Sequence, residues 1–216
     1  MKKIQYLFLF TLLAITLSCI SSSESPKEKT ESITNKEELK TAYFASGCFW
    51  CVEAIFENVK GVEEVISGYS GGIKKNPTYR EICTGTLRHA ESVLVYYNPK
   101  VINYKTLLKV FFGSHDPTTV NRQGNDAGPQ YRSIVFYQTE EEKIMCEDYI
   151  KELDELKMFT SKIVTEVVPF DIFYPAEDYH QNYEKNHPND SYVKAISIPR
   201  LLRFEDKFPE LLKQKH

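Results

Sequence analysis

The chain has 216 residues, 42% of them apolar, enough for one sizeable domain with a real core plus extensions. Its formal net charge is −3 and no basic stripe is visible, which argues against nucleic acid as a partner. Aromatic residues make up 13%, which suits an aromatic-lined pocket and a compact core equally.

The N-terminus reads as an export signal. Met1-Lys2-Lys3 gives a basic start, and Tyr6 to Leu17 an apolar run too short for a comfortable membrane span. That run ends in Ile15-Thr16-Leu17-Ser18-Cys19, similar to a bacterial lipoprotein box with Thr16 where Leu is usual. Residues 1–19 are therefore expected to be a signal, with Cys19 the lipidated first residue of an exported, periplasmic or membrane-anchored protein. The competing reading is an ordinary signal peptide with an incidental cysteine. Residues 20–40 are rich in Ser, Glu and Lys and read as a solvated tether, leaving 41–216 for the folded domain.

Within the domain, strands and helices alternate. The pattern predicts strands over Ala42–Ala45, Glu63–Gly68, Ser92–Tyr97, Ser133–Tyr137 and Val164–Phe170. Helices are predicted over Phe49–Val59, Tyr104–Phe112 and Glu140–Leu156. This order suggests an α+β two-layer sandwich with a mixed or antiparallel sheet and a ferredoxin-like, split βαβ core. The tail Pro199–Leu211 looks helical, with Pro199 in a permitted first-turn position and Pro209 interrupting it.

Gly47-Cys48-Phe49-Trp50-Cys51-Val52-Glu53 joins the first strand to the first helix. Cys48 would sit at or just before a helix N-terminus, where unpaired N–H groups and the positive dipole end favour a thiolate. Cys51 lies about one turn on, near enough for a disulfide after modest adjustment. Half a zinc site is a weaker reading, because Cys19, Cys83 and Cys146 are isolated and no second CxxC exists. Haem attachment would need His at position 52, where Val stands. A zinc deaminase would need the His89-Ala90-Glu91 segment before the cysteines and Pro in place of Gly47.

Three polar loops of unusual composition follow: 68–79, beginning Gly68-Tyr69-Ser70-Gly71-Gly72; 86–91, ending His89-Ala90-Glu91; and 115–133, including Asn121 to Ser133. With GCFWCVE at 47–53, GYSGG at 68–72, NPTYREIC at 76–83, HAESV at 89–93, HDPT at 115–118, NRQGNDAGPQYRS at 121–133 and FYPAEDYHQ at 173–181, the chain resembles the peptide methionine sulfoxide reductases of the A type from about Thr41 onward.

That resemblance implies a nucleophile at Cys48, a proton-donating acid at Glu91, and Tyr79 and Tyr131 as partners of the sulfoxide oxygen. Phe49 and Trp50 would form the slot for the substrate methyl group, and Asp126 would orient the substrate. The chemistry suits these residue types: a sulfoxide is a weak electrophile whose oxygen must gain hydrogen bonds and finally a proton. Glu53 is open between stabilising the helix start and serving the fold, while His115, Asp178 and His180 are expected to make structural hydrogen bonds.

Many members of that family carry Gly at the position of Cys51 and resolve the sulfenic acid with a cysteine in a glycine-rich tail. Here no cysteine follows Cys146, so Cys51 is the expected resolver, and Cys83 and Cys146 are expected to be buried small apolar residues. The resemblance implies no cofactor and no metal. It implies methionine sulfoxide, free or in proteins, as substrate and a thioredoxin-like electron donor, and a monomer is expected. The alternatives from other classes are an exported thioredoxin-like dithiol carrier and a binding module clipped by CxxC.

Overall fold

A computed structural model describes residues 38–214; the expected signal, Cys19 and most of the expected tether lie outside them. β1 (Lys40–Ser46) leads into α1 (Phe49–Glu57), β2 (Val62–Ser70), the one-turn α2 (Tyr79–Ile82), β3 (Ala90–Tyr97) and α3 (Tyr104–Gly113). A small hairpin of β4 (Arg122–Gln123) and β5 (Asp126–Ala127) precedes β6 (Ser133–Tyr137) and α4 (Glu140–Glu155). β7 (Glu166–Pro169), β8 (Phe173–Pro175), α5 (Tyr183–Asn186) and α6 (Ile198–Lys207) complete the chain.

The main sheet has the order β7-β6-β1-β3-β2-β8. β6–β7 is parallel and the other four pairings are antiparallel. Its four central strands, with α1 and α3 as crossovers, have the split βαβ connectivity expected from the sequence. Alternation along β1 sets the two faces: Ala42 and Phe44 enter the main core, while Tyr43 and Ala45 join a smaller cluster on the other side. In the main core Phe44 stacks between Phe56 of α1 and Phe111 of α3, each with a centroid 5.2 Å away. On the other face Tyr43 stacks on Phe170 at 3.8 Å.

Some boundaries differ from the sequence pattern. α1 stops at Glu57, one turn before Gly61, because Val59 leaves the helix to pair with Leu212. α2 and β8 were not predicted. Each is too short to carry a periodic signal, and β8 exists through its pairing with β2. Cys83 corrects an expectation: it is exposed, at the C-cap of α2, because that helix ends after four residues. Cys146 is fully buried on α4, as expected.

Close packing of β8 on β2 is read at Gly68, where an added Cβ would lie 2.3 Å from the Phe173 ring and 2.4 Å from the Tyr174 carbonyl oxygen. Gly68→Ala is expected to lower stability by about 1–3 kcal/mol, as overpacking does. Denaturant unfolding checks this, and an unchanged midpoint would show that β8 yields freely.

Candidate active site

Antiparallel pairing brings the chemically suggestive loops to one end of the sheet. The C-terminal end of β1 lies beside the N-terminal ends of β3 and β6, and β2 ends next to the start of β3. Hence the Gly47-Cys48 turn, the segment entering β3 and the 115–133 loop converge, although they are distant in sequence. Gly47 takes φ +89°, and an added Cβ there would fall 2.7 Å from the Gln123 side chain. Only glycine fits that turn without displacing the neighbouring loop.

Cys48 occupies the N-cap position of α1 and is 7% exposed; Cys51 is 1% exposed, and both are free thiols. Burial first, and then the hydrogen bond it gives to Cys51, push the Cys48 thiol well up, with Glu91 adding to the effect. Cys51 receives that hydrogen bond and is lowered to about 6, burial opposing and the Arg200 charge assisting. The two thiols therefore titrate as a pair, and not independently. Cys51 also lies 3.9 Å from the Tyr192 hydroxyl.

Glu91 is the second residue of β3 and points to the helix side, with Val93 and Val95 following it into the core. Its Oε2 accepts a hydrogen bond from the Phe49 N–H at 3.1 Å, while the buried Oε1 has no partner in the structure. Burial raises this carboxyl to about 8 against the lowering effect of the Phe49 N–H, with Asp126 and Cys51 adding to the rise. Near neutral pH it is a carboxylic acid. Tyr79 and Tyr131 are half-buried, and both are held up as phenols by burial and then by the Glu91 charge. Cys83 is a lesser contributor to the rise at Tyr79, so that exposed thiol lies in the neighbourhood of a candidate site residue.

An aromatic wall adjoins the cysteines. The Phe49 ring, fully buried, stacks toward Tyr79 at 6.3 Å and tilts against His180 at 5.0 Å. Trp50 lies flat on Tyr183, with centroids 3.6 Å apart and planes 7° apart, and its indole N–H donates to His180 Nδ1 at 3.1 Å. That bond fixes His180 as the Nε2–H tautomer. Asp126, on β5, accepts a 2.5 Å hydrogen bond from Tyr192.

All eight candidate side chains named from the sequence are thus gathered at this end of the sheet. His115 bonds the Phe111 carbonyl and the Ser133 hydroxyl, both at 2.7 Å, in keeping with a structural part. Glu53 is buried and raised to about 7 by burial, and both of its oxygens accept from the Asn182 N–H, at 3.0 and 3.1 Å. It ties α1 to the segment bearing His180 and Tyr183.

Other supports were not picked out from the sequence. Glu177 takes a 2.8 Å bond from the Tyr69 hydroxyl and a 2.9 Å bond from the Tyr79 N–H, fixing the start of α2. It stands inside the 173–181 motif, so a signal was available; Tyr183, Tyr192 and Arg200 stand outside every motif. Among the described residues no group of three or more His, Cys, Asp and Glu could hold a metal ion.

A family model described as peptide methionine sulfoxide reductase matches residues 40–212. The chain is 51% identical over 172 residues to the peptide methionine sulfoxide reductase MsrA of Sulfolobus acidocaldarius, covering 80% of this chain and 97% of the relative. With the MsrA of Polynucleobacter asymbioticus it shares 42% over 178 residues, covering 82% and 94%. Among solved structures it is similar to methionine sulfoxide reductase A of Corynebacterium diphtheriae (TM-score 0.64, 35% identity, 71% of this chain and 77% of that one). It is also similar to reduced Mxr1 of Saccharomyces cerevisiae (TM-score 0.66, 32% identity, 72% and 90%).

Proposed function

The chain belongs to the peptide methionine sulfoxide reductase family and is an oxidoreductase of that kind, and from that premise we propose how its residues reduce methionine S-sulfoxide. The observation that carries the reading is Glu91: a buried carboxylic acid at the start of the Cys48 helix, with one oxygen fixed by Phe49 and the other unpartnered. A group placed so, and protonated near neutral pH, is suited to donate to an oxygen arriving over Cys48.

The Cys48 thiol passes its proton to the adjacent Cys51 sulfur, and the Cys48 thiolate attacks the sulfoxide sulfur, forming an S–S bond to it. Charge gathers on the sulfoxide oxygen as its bond to sulfur weakens. Glu91 gives that oxygen a proton while the Tyr79 and Tyr131 hydroxyls hydrogen-bond it. The protonated oxygen then moves from the methionine sulfur to Cys48 Sγ as the new S–S bond breaks and methionine departs, so one thiolate and one carboxylic acid become one sulfenic acid and one carboxylate. The substrate methyl group rests against Phe49 and Trp50, which selects the S epimer, and Asp126, held by Tyr192, orients the main chain of the methionine. Cys51 then condenses with the sulfenic acid to a disulfide and water. A thioredoxin-like protein returns the pair to thiols.

The basic and apolar residues at 1–19 support export and anchoring at Cys19, with a membrane-linked reductant. Assaying the purified chain with dithiothreitol and the two epimers of a methyl sulfoxide tests the reading. The S epimer alone should be consumed. Reduction of protein disulfides without sulfoxide turnover would favour the dithiol-carrier alternative.

Cys51→Ser should release about one methionine per enzyme and then stall when thioredoxin is the sole reductant. Mass spectrometry after one turnover of the native chain should find a Cys48–Cys51 disulfide. A bridge from Cys48 to Cys83 or Cys146 would show that the resolver lies elsewhere.

A further inference from the structure

The segment leading into the last long helix is wound as a π-helix over Val193–Ser197, and α6 follows without a break. Such wide turns are rare and change which residues share a face. Here Tyr192, before the wide turn, Ser197, at its end, and Arg200, one turn into α6, all act on Cys51. Ser197 also bonds to Glu184.

Arg200 is 8% exposed. Its Nε donates to the Ser114 carbonyl at 2.8 Å, and one terminal nitrogen donates to the Ser46 carbonyl at 3.0 Å and reaches the Ser46 hydroxyl at 3.5 Å. The other terminal nitrogen would lie 3.5 Å from a Cβ on Gly47, so it is aimed at the turn that carries Cys48. Among the described residues no carboxylate pairs with this guanidinium, although a buried charge ordinarily has a counter-ion. His115 beside it is kept neutral, pushed down to about 3 by burial and then by Arg200 itself. Asp116, Arg203 and Lys207 share the adjoining cleft.

We propose that Arg200 is a positioning residue whose buried positive charge has the Cys48–Cys51 pair as its counter-ion, so that Cys51 is kept available as a thiolate for disulfide formation. The proposal rests on the reading of Cys51 as resolver. In the step concerned, Cys51 Sγ bonds to Cys48 Sγ as the Cys48 S–O bond breaks. Cys51 ionises beside Arg200 and its thiolate is oxidised as the sulfenic sulfur is reduced, while the departing oxygen takes up the proton that Cys51 released and leaves as water. Facing Cys51 are Cys48 and Glu91 from one side and Tyr192, Ser197 and Arg200 from the other, with Asp126 behind Tyr192. Of these only Arg200 is a cation.

Two variants separate charge from scaffolding. Arg200→Gln keeps hydrogen-bond donors near Ser46 and Ser114 but removes the charge, whereas Arg200→Lys keeps the charge and loses the fork. The first reading is the ultraviolet thiolate absorbance of each reduced protein against pH, less that of the same protein with Cys48 and Cys51 both changed to Ser. The second is the rate at which dimedone-reactive sulfenic acid disappears after a single turnover.

In Arg200→Gln the lower thiolate titration should move up by about one pH unit or more, and sulfenic acid should persist about tenfold longer. Arg200→Lys should stay close to the native titration. An Arg200→Gln protein that titrates like the native one, or an Arg200→Lys protein that shifts as far as Gln does, would overturn the proposal. If Arg200→Gln fails to fold, the Lys variant alone decides, since loss of its low titration contradicts a charge role. Should the native disulfide join Cys48 to another cysteine, the resolver reading fails, while the thiolate titration still tests the Arg200 charge by itself.

Discussion

A Cys48→Ser protein is expected to fold as well as the native chain and to release methionine at a rate lower by a factor on the order of 10⁴ or more. The fold should persist because the site is an N-cap, where serine is a preferred residue and its oxygen can accept from the first helical N–H groups. Activity should vanish because a hydroxyl near neutral pH supplies no thiolate to attack sulfur. The pairing of outcomes makes the test sharp: a melting temperature unchanged or raised, together with no methionine in a single-turnover quench. Substantial turnover by the folded variant would remove Cys48 from the nucleophile's place and with it the mechanism.

Glu91→Gln is expected to slow the first chemical step by about 10²–10⁴-fold, the usual worth of a positioned acid. The amide can still take the Phe49 N–H bond but has no proton to give. Single-turnover kinetics at saturating substrate read this directly, and a near-native rate would exclude the acid role. The pH dependence should change as well. Native Glu91 must be protonated to act, so the native rate should fall as pH rises through about 8, and the variant should lose that limb.

Stability follows the same group. Its carboxyl is raised from an ordinary 4.5 to about 8, so the folded state binds the proton more tightly than the unfolded chain does. Its contribution is full below about 4.5 and is lost as pH rises through about 8. Measured by denaturant unfolding, the native chain should therefore weaken relative to Glu91→Gln between pH values on either side of that window. Glu53, raised to about 7, adds a similar slope to both proteins and does not blur the difference.

What the sequence made legible, and what it did not, divides by the range of the interactions. β1, α1, β3, α3, β6 and α4 were readable because each carries its own local apolar pattern, the helices facing the main core and β1 and β6 buried on both faces. The place of Cys48 at a helix start was readable for the same reason, since strand, glycine and helix follow one another within a dozen residues. Glu91 was reached only through the motif around it; taken alone, a glutamate at a strand start reads as solvated, and its burial depends on α1 lying across β3. The flat contact of Trp50 with Tyr183, the bond from Tyr192 to Asp126 and the approach of Arg200 to the Gly47 turn join residues more than sixty positions apart. No local pattern encodes them. Cys83 was misread because its burial depended on a helix that proves to be one turn long.

The chain contains one tryptophan, and it is Trp50. Stacked on Tyr183, bonded to His180 and one residue from Phe49, its indole stands in the wall of the pocket, between the two sulfurs in sequence. Tryptophan emission from this protein therefore originates at a single place, and under the proposed mechanism that place is the one whose polarity should change when a sulfoxide enters or the disulfide closes. The enzyme carries its own optical probe. Binding, the first chemical step and recycling can be followed in stopped flow on unlabelled protein, with each variant above distinguished by which phase of the signal it removes.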